Sequence, residues 1–524
     1  MRKGSMLISL QDITIQVGSR RFFDHTTWRI AGNQRWAITG PTGSGKSVLA
    51  RAINRSVSLV HGQILYFFDG PEPGQARPYL YPGEILTLSV ETHRDFLNRF
   101  AGYHQARWQS LEGDDTPTAS DLLTARSMQS FSPFQVIPPD LDEEGYRLKR
   151  QRWVDLLKIG YLLDRKVIHL SHGESRKLLI ARLLMQSPRL LILDDPMVGL
   201  DQESEAIFSQ ALDELILNGE VHVLLVSARV EELPPGVTHV IEVEEGRVTA
   251  CGERGAAAKR SWRKPAGTRL VAPPAAQALS AFTEMVNGYA RALEHNPILA
   301  NPELIKLQDV SVHYGQTPVL QNITWTVRRG ERWALLGKNG AGKTTLLSLI
   351  LADNPQSYAN PITLFGQRRG SGESIWEIKR SIGWVSPELH IFYRQAVSLL
   401  DVVCSGFSDS VGFAHTCSAP QAAIASRWIE ALGLVSPPEA QFSSLSAGQQ
   451  RLALLARALV KNPPVLILDE PCQALDEPHR AHFLQLLDRL CALTRLTLIY
   501  VTHLQGEIPA AITHQLRLEG GKII

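Results

Sequence analysis

Alternating apolar and polar residues open two distant parts of the chain, at Leu7 to Val17 and again from Leu304. A period of two predicts strands with one buried face. Short continuous apolar runs, Leu190 to Leu193 and Val223 to Val226, predict strands that are buried on both faces, as in a parallel sheet. Because helical stretches alternate with these runs, the pattern predicts an α/β fold with a mostly parallel sheet, an antiparallel β edge and a helical insertion.

The pattern of the first half recurs in the second half. The sequence LISLQD at 7–12 corresponds to LIKLQD at 304–309, and Lys46 corresponds to Lys343, both at a separation of 297 residues. Further along, Asp194 corresponds to Asp469 at a separation of 275 residues. The chain is therefore predicted to be a duplication of one domain-sized unit, with the extra residues of the first copy between Glu91 and Ser171.

The limits of the repeat predict the domains. Domain 1 is expected over residues 1–249, a linker over 250–303 and domain 2 over 304–524. Glycine and proline mark much of the linker, whereas Ala276 to Leu293 has the pattern of a helix. A second helix is expected over Asp142 to Lys158, in the irregular middle of the first copy.

Composition narrows the class of protein without selecting a function. A chain of 524 residues is too long for one core, and a net charge of +2 gives no strong signal for nucleic acid. The five cysteines are scattered, which favours reduced thiols and no structural zinc. The sequence has no apolar run of the roughly 18 residues that span a membrane, and it opens without a signal-peptide pattern. We expect a cytoplasmic protein, free or peripheral on the inner face of the membrane, where another chain would supply any span.

A phosphate-binding loop stands in each copy. The sequences GPTGSGKS at 40–47 and GKNGAGKT at 337–344 both have the form G-x-x-x-x-G-K-[ST] after a predicted strand. Backbone N–H groups of such a loop surround phosphate oxygens, the lysine adds positive charge, and the last hydroxyl reaches Mg²⁺. The predicted nucleotide-binding residues are Gly40, Pro41, Thr42, Gly43, Ser44, Gly45, Lys46 and Ser47, and Gly337, Lys338, Asn339, Gly340, Ala341, Gly342, Lys343, Thr344 and Thr345.

Each copy also places two acids at the end of a buried strand, in LILDD at 191–195 and LILDE at 466–470. Beside a phosphate-binding loop, the first acid can hold Mg²⁺ and the second can polarise the attacking water. Alone, such an acid would usually cap a helix. The predicted metal ligands are Ser47, Asp194, Thr344 and Asp469, and the predicted catalytic acids are Asp195 and Glu470.

A third motif lies between the loop and the acids, LSHGE at 170–174 and LSAGQ at 445–449. Alone, each would be an N-capped helix. In this order of motifs the second is similar to the LSGGQ signature of ABC-type ATPases, and the first is a variant of it. The resemblance implies tandem ABC cassettes of the P-loop NTPase fold, whose signature residues bind the γ-phosphate of ATP held by the opposite cassette. These residues would be Ser171, Gly173, Glu174, Ser446, Gly448 and Gln449.

The resemblance implies further residue roles. Tyr314 corresponds to the aromatic residue that stacks on adenine, with Val17 in its place in the first copy. Asp201 and Asp476 correspond to the D-loop aspartate, and His503 corresponds to the switch histidine that contacts the γ-phosphate.

The two copies differ where chemistry is expected. In the first copy Asp195 replaces the usual glutamate, and its side chain is one methylene shorter. A misplacement of that order can cost about 100-fold in rate. Ala228 stands at the position of the switch histidine, so this copy has no imidazole there. We predict that the site with Glu470 and His503 hydrolyses ATP and that the site with Asp195 binds it with little turnover.

The segment 364–379 resembles ModF-type proteins, which are bacterial twin-cassette ATPases associated with molybdate transport and also called photorepair proteins. This resemblance implies a subunit that energises or regulates a membrane transporter. Two alternatives stay open: an ABC protein that acts on ribosomes or nucleic acid, and an ATP-dependent binding switch without hydrolysis. At the Q-loop positions, Glu91 and Glu388 either replace the usual glutamine or mark an altered coupling to a membrane domain.

Overall fold

The structure is a computed structural model, and it divides the chain into two compact units. The first unit contains the described residues up to 255, and the second contains those from 276 onward. The described residues are 5–18, 20–68, 76–89, 92–93, 96, 117–128, 142–167, 170, 172–197, 200, 202–228, 233–255, 276–314, 317–386, 389, 393, 397–409, 417–434, 436–473, 475 and 477–524.

The first unit combines two sheets with helices. Its strands are β1 (Met6–Val17), β2 (Arg20–Ala31), β3 (Trp36–Thr39), β4 (Leu59–Tyr66), β5 (Ile85–Leu88), β6 (Leu190–Asp194), β7 (His222–Ser227), β8 (His239–Glu244) and β9 (Arg247–Glu253). Its helices are α1 (Lys46–Ile53), α2 (Ala125–Met128), α3 (Glu143–Leu156), α4 (His172–Met185) and α5 (Gln202–Asn218). One sheet is antiparallel with the order β2-β1-β4, and the other has the order β5-β6-β7-β3-β8-β9 and is parallel except at β8–β9.

The second unit repeats this plan. Its strands are β10 (Glu303–Tyr314), β11 (Thr317–Arg328), β12 (Arg332–Leu336), β13 (Ile362–Leu364), β14 (Gln367–Arg368), β15 (Ile382–Val385), β16 (Val465–Asp469), β17 (Thr497–Thr502), β18 (His514–Glu519) and β19 (Lys522–Ile523). Its helices are α6 (Ala276–Glu294), α7 (Lys343–Ile350), α8 (Ile375–Ser381), α9 (Leu399–Cys404), α10 (Ala419–Ala431), α11 (Ala447–Leu459) and α12 (Glu477–Leu493). The large sheet has the order β15-β16-β17-β12-β18-β19, which matches the first unit strand for strand.

The large sheet of the first unit is buried on both faces, which explains the continuous apolar runs. Along β6, Leu191 and Leu193 face a core of helical residues, while Leu190 and Ile192 face the core under the antiparallel sheet. All four side chains are less than 4% exposed. The predicted class is therefore confirmed: a mostly parallel sheet with an antiparallel β edge and a helical subdomain.

The helix expected between the copies is present as α6, and its packing places it in the second unit. Phe282, Val286 and Leu293 on this helix belong to the same core as β10 and α10. The Tyr289 hydroxyl is buried and donates to the Pro463 carbonyl at 2.5 Å. This helix is thus a structural part of the second unit, although it has no counterpart in the repeat.

One prediction from the cysteines is wrong. Cys404 and Cys417 form a disulfide, whereas the sequence favoured reduced thiols throughout. The two cysteines stand 13 positions apart, a separation that carries no disulfide signal, and they meet because α9 packs against α10. In the described part of the chain, no helix is long and apolar enough to span a membrane.

Candidate active site

Both phosphate-binding loops join the central strand of the large sheet to a helix. In the first unit the loop follows β3, and in the second unit it follows β12. Lys46 donates through Nζ to the carbonyl oxygens of Gly40 at 2.8 Å and Pro41 at 2.9 Å. Lys343 donates likewise to Gly337 at 2.5 Å and Lys338 at 3.1 Å. Each lysine is therefore held against its own loop, with its charge at the helix N-terminus where an anion is favoured.

The backbone of both loops requires glycine at the first position. Gly40 has φ of 139°, and a Cβ there would collide with the carbonyl of Val243. Gly337 has φ of 158°, and a Cβ there would lie 2.6 Å from the Leu518 carbonyl. The buried Ser44 hydroxyl has no hydrogen-bond partner among the described residues. The glycines thus let each loop pack against the neighbouring strand, and the unused Ser44 hydroxyl is a group that a phosphate ligand could use.

The acids lie at the same edge of the sheet as the loops. Asp194 ends β6 and is paired with Val226 of β7, next to β3. Asp469 ends β16 and is paired with Val501 of β17, next to β12. The carboxyl ends of parallel strands form the usual ligand edge of such sheets. Ser47 and Thr344 lie in the first turn of the helices that follow the loops, and hydroxyl and carboxylate oxygens are the donors that Mg²⁺ prefers, so these residues stay the predicted Mg²⁺ ligands.

The second acid of the second unit is held by two side chains. Glu470 Oε1 lies 3.0 Å from His503 Nδ1, and Glu470 Oε2 accepts from Gln473 Nε2 at 3.3 Å. Only 11% of the His503 side chain and 15% of the Glu470 side chain are exposed. This carboxylate therefore has a fixed direction in a largely desolvated position.

The corresponding acid of the first unit has a different partner. Asp195 Oδ1 accepts from the backbone N–H of Ala228 at 3.3 Å. Both Asp195 and Glu470 have positive φ, at 48° and 43°, and each donates its N–H to the neighbouring strand. The backbone is the same in both units, so the difference between them lies in the side chains.

The environment of His503 favours its protonated form. Burial lowers the pKa of His503, but the hydrogen bond and negative charge of Glu470 outweigh burial, so that the pKa is raised above its ordinary value. Lys343 lowers it and Glu507 raises it as smaller effects. The carboxylate of Glu470 thus shifts His503 toward its protonated form, close to the lysine of the loop.

Comparisons with known proteins identify the family. Residues 23–198 and 320–473 both match the profile of the ABC transporter family. The chain belongs to the ABC transporter family. The ABC transporter ATP-binding protein ModF of Escherichia coli (strain K12) is 35% identical, and the match covers 98% of each chain. An uncharacterized ABC transporter ATP-binding protein of Schizosaccharomyces pombe is 28% identical, with 96% of each chain covered. A solved ATP-binding cassette of an ABC transporter, in its ADP conformation, covers 50% of this chain and 96% of its own at 19% identity, with a TM-score of 0.38.

The resemblance inferred from the motifs is thus confirmed: this is a twin-cassette ABC protein of the ModF type, and ABC domains bind ATP. The signature helices of its two cassettes differ. Ser446 caps α11, accepting from the N–H of Gln449 at 3.3 Å, and the Gln449 side chain accepts from the N–H of Ser446 at 3.1 Å. Gly448 is buried against the ring of His479, where a Cβ would collide.

In the first cassette the signature carries an acid. Glu174 lies on α4 and pairs with Arg165, with 3.2 Å between Oε1 and Nη1. Gly173 is buried on the same helix. The added negative charge at this position is therefore partly offset by the arginine, although half of the Arg165 side chain is exposed and screening weakens the pair.

Each signature helix carries a buried arginine near the acids, and neither arginine belongs to a predicted motif. Arg176 donates to the Asp195 carbonyl at 2.9 Å, and Arg451 lies 3.5 Å from the Gln473 carbonyl. Burial lowers the pKa of each guanidinium to about 10, against the raising effect of the nearby acids, so both stay charged at neutral pH. The repeat could have revealed these arginines, because they are 275 residues apart, as are the signature motifs before them and the acidic motifs after them.

Tyr314 lies at the end of β10, packed partly against the core, and its hydroxyl accepts from Asn354 Nδ2 at 3.0 Å. Val17 ends β1 at the matching place and is 39% exposed. The remaining predicted residues lie outside the described part of the chain: Ser171, Asp201, Asp476, Glu91 and Glu388.

Proposed function

We propose that this ABC protein hydrolyses ATP to ADP and phosphate, and that hydrolysis is concentrated in the second cassette. The observation that supports this is the Glu470–His503 pair at 3.0 Å, compared with the contact of Asp195 to the Ala228 backbone. A carboxylate that is oriented by an imidazole can direct a water and accept its proton. The shorter Asp195, held by a backbone N–H, lacks that support.

The second cassette has residues for each part of phosphoryl transfer. Lys343 and the loop N–H groups would bind the phosphates. Glu470 would orient the attacking water and take up its proton, while protonated His503 would donate to a phosphate oxygen that gains charge. Mg²⁺, held through the Thr344 hydroxyl and Asp469, would neutralise charge on the phosphate oxygens when bound.

The first cassette keeps the residues that would bind the phosphates, although Val17 stands in the place of the aromatic Tyr314. Lys46 and the loop glycines have the same geometry as in the second cassette, and Asp194 and Ser47 provide the same oxygen donors. The replacements Asp195 and Ala228 would therefore lower ATP turnover in this cassette and leave the binding of the phosphates intact. The assignment of Ser171, Gly173, Glu174, Ser446, Gly448 and Gln449 to ATP held by the opposite cassette stays a prediction from the family resemblance.

We also propose that the ATP cycle energises or regulates a transporter whose membrane-spanning chain is separate, at the inner face of the cytoplasmic membrane. Support comes from the 35% identity to ModF over 98% of both chains. The connection to molybdate rests on that resemblance alone.

The hydrolysis proposal is tested by measuring phosphate release by the purified full chain with Mg–ATP. We expect a basal rate that Lys343→Ala abolishes, because the loop loses its charge on the phosphates. A wild-type rate no higher than that of Lys343→Ala would contradict hydrolysis and favour the binding switch. The transport proposal is tested by trapping the ATP state with Glu470→Gln in cells: a co-purifying membrane protein supports it, and co-purifying ribosomes contradict it.

A further inference from the structure

Three metal-ligating side chains meet on the antiparallel sheet of the first unit. Asp12 lies on β1, and His25 and His61 lie on the strands on either side of it, β2 and β4. Asp12 Oδ1 is 2.9 Å from His25 Nδ1, and Asp12 Oδ2 is 2.9 Å from His61 Nε2. One ligand atom from each residue lies within 4.8 Å of the other two. Among the described residues, no other group of three histidine, cysteine or acidic side chains is this close.

The backbone holds this group together. Both sheet registers shift at Asp12, which has φ of 53°, so that its side chain turns toward the neighbouring strands. The N–H of Asp12 donates to Thr27 Oγ1 at 3.1 Å, and the N–H of His25 donates to Thr14 Oγ1 at 3.1 Å. On the other side, β4 approaches the Asp12 carbonyl closely at Gly62, and a Cβ on residue 62 would collide with that carbonyl. The bulge is thus fixed from both neighbouring strands.

We propose that Asp12, His25 and His61 bind a divalent transition-metal ion, with Zn²⁺ as the best fit. Two imidazoles and one carboxylate form the donor set of three-ligand zinc sites, in which water or an outside ligand completes the coordination. Ligands at about 2.0–2.2 Å from a tetrahedral zinc ion lie roughly 3.3 Å from one another. Each imidazole already lies 2.9 Å from a different oxygen of the Asp12 carboxylate, and all three ligand atoms lie within 4.8 Å of one another, so rotation of these exposed side chains can bring them to that spacing.

The second unit has the same backbone without the imidazoles. Asp309 and Asn322 have φ of 53° and 52°, and their N–H groups donate to Thr324 at 3.0 Å and Ser311 at 3.0 Å. Asn322 stands in the place of His25. The bulge is therefore part of the fold in both copies, and the histidines are not needed to form it. This comparison points to a separate role for the histidines of the first unit.

The group is open to solvent, as a site for an exchangeable ion must be. The exposed fractions are 65% for His25, 56% for His61 and 55% for Asp12. Its nitrogen ligands also distinguish it from the oxygen ligands of the ATP sites, because Mg²⁺ prefers oxygen donors. The proposal is thus independent of ATP hydrolysis.

The test is metal binding by the full chain, without an affinity tag and after removal of metals by a chelator. Co²⁺ is followed by its visible absorption and Zn²⁺ by calorimetry, both with excess Mg²⁺ to fill oxygen-rich sites. We expect one ion per chain. His25→Asn, which copies the second unit, should weaken binding at least about tenfold, since even the loss of an outer-shell partner costs 10–100-fold.

His313→Asn is the matched control, because His313 is an exposed histidine on β10 outside any such group. It should bind metal like wild type, and His61→Ala should repeat the loss seen with His25→Asn. Unchanged circular dichroism and ATPase activity of the metal-free variants would show that they are folded. The proposal is overturned if wild type binds no ion saturably, or if His25→Asn and His61→Ala bind as tightly as wild type.

Discussion

Replacing His503 with alanine removes the side chain that orients Glu470. The carboxylate would lose its partner at 3.0 Å, while the amide of Gln473 at 3.3 Å would stay in place. A hydrogen bond between charged groups contributes about 1.5–3 kcal/mol, and this pair is only 11–15% exposed, so screening by water is weak. If that stabilisation is needed in the transition state, kcat should fall about 10- to 150-fold.

The assay is steady-state phosphate release over a range of ATP concentrations. We expect the loss to fall on kcat, with KM close to wild type, because the loop and Lys343 stay intact. His503→Gln should recover part of the rate, since an amide can still donate to Glu470. Ala228→Ser is the matched control at the corresponding position of the first cassette, and it should leave kcat unchanged. The reasoning is refuted if His503→Ala keeps the wild-type kcat or changes only KM.

Three further predictions follow from the same geometry. Because Glu470 raises the pKa of His503, the interaction of these two side chains should stabilise the fold fully below pH 6.5 and progressively less as the pH rises through the raised pKa. The free energies of urea unfolding of wild type and His503→Ala, measured between pH 5.5 and 8.5, should therefore converge at high pH. Tyr314→Ala should weaken ATP binding by the roughly 1–3 kcal/mol of a base stacked on an aromatic ring, while Tyr314→Phe should not, by calorimetry; equal affinities would contradict the stacking. The double substitution Asp195→Glu with Ala228→His should raise hydrolysis when Glu470 is replaced by glutamine, and no gain in phosphate release would mean that other residues limit the first cassette.

The parts of the site that were predictable from sequence are those set by local patterns. A strand, a glycine loop and a helix define the surroundings of Lys46 and Lys343, and buried strands define where Asp194 and Asp469 stand. Because the chain carries two copies, each motif in one copy could also be compared with the corresponding residues of the other copy. The substitutions Asp195 and Ala228 could be recognised as departures for the same reason.

The parts that were not predictable depend on packing between distant segments. The contact of Arg176 with Asp195 needs the signature helix to lie against the end of β6. The Cys404–Cys417 disulfide and the joining of α6 to the second core likewise depend on tertiary contacts without a sequence pattern. His25 and His61 are separated by 36 positions and meet at Asp12 only because two registers shift at that residue.

The most direct test of the central claim compares Glu470→Gln with Asp195→Asn in the same ATPase assay. Removing a general base typically costs about 10²–10⁴-fold, so Glu470→Gln should lose at least about 100-fold in kcat. Asp195→Asn should retain most of the wild-type rate, because its carboxylate contributes little turnover. Equal losses from the two substitutions would contradict the claim that hydrolysis is concentrated in the second cassette.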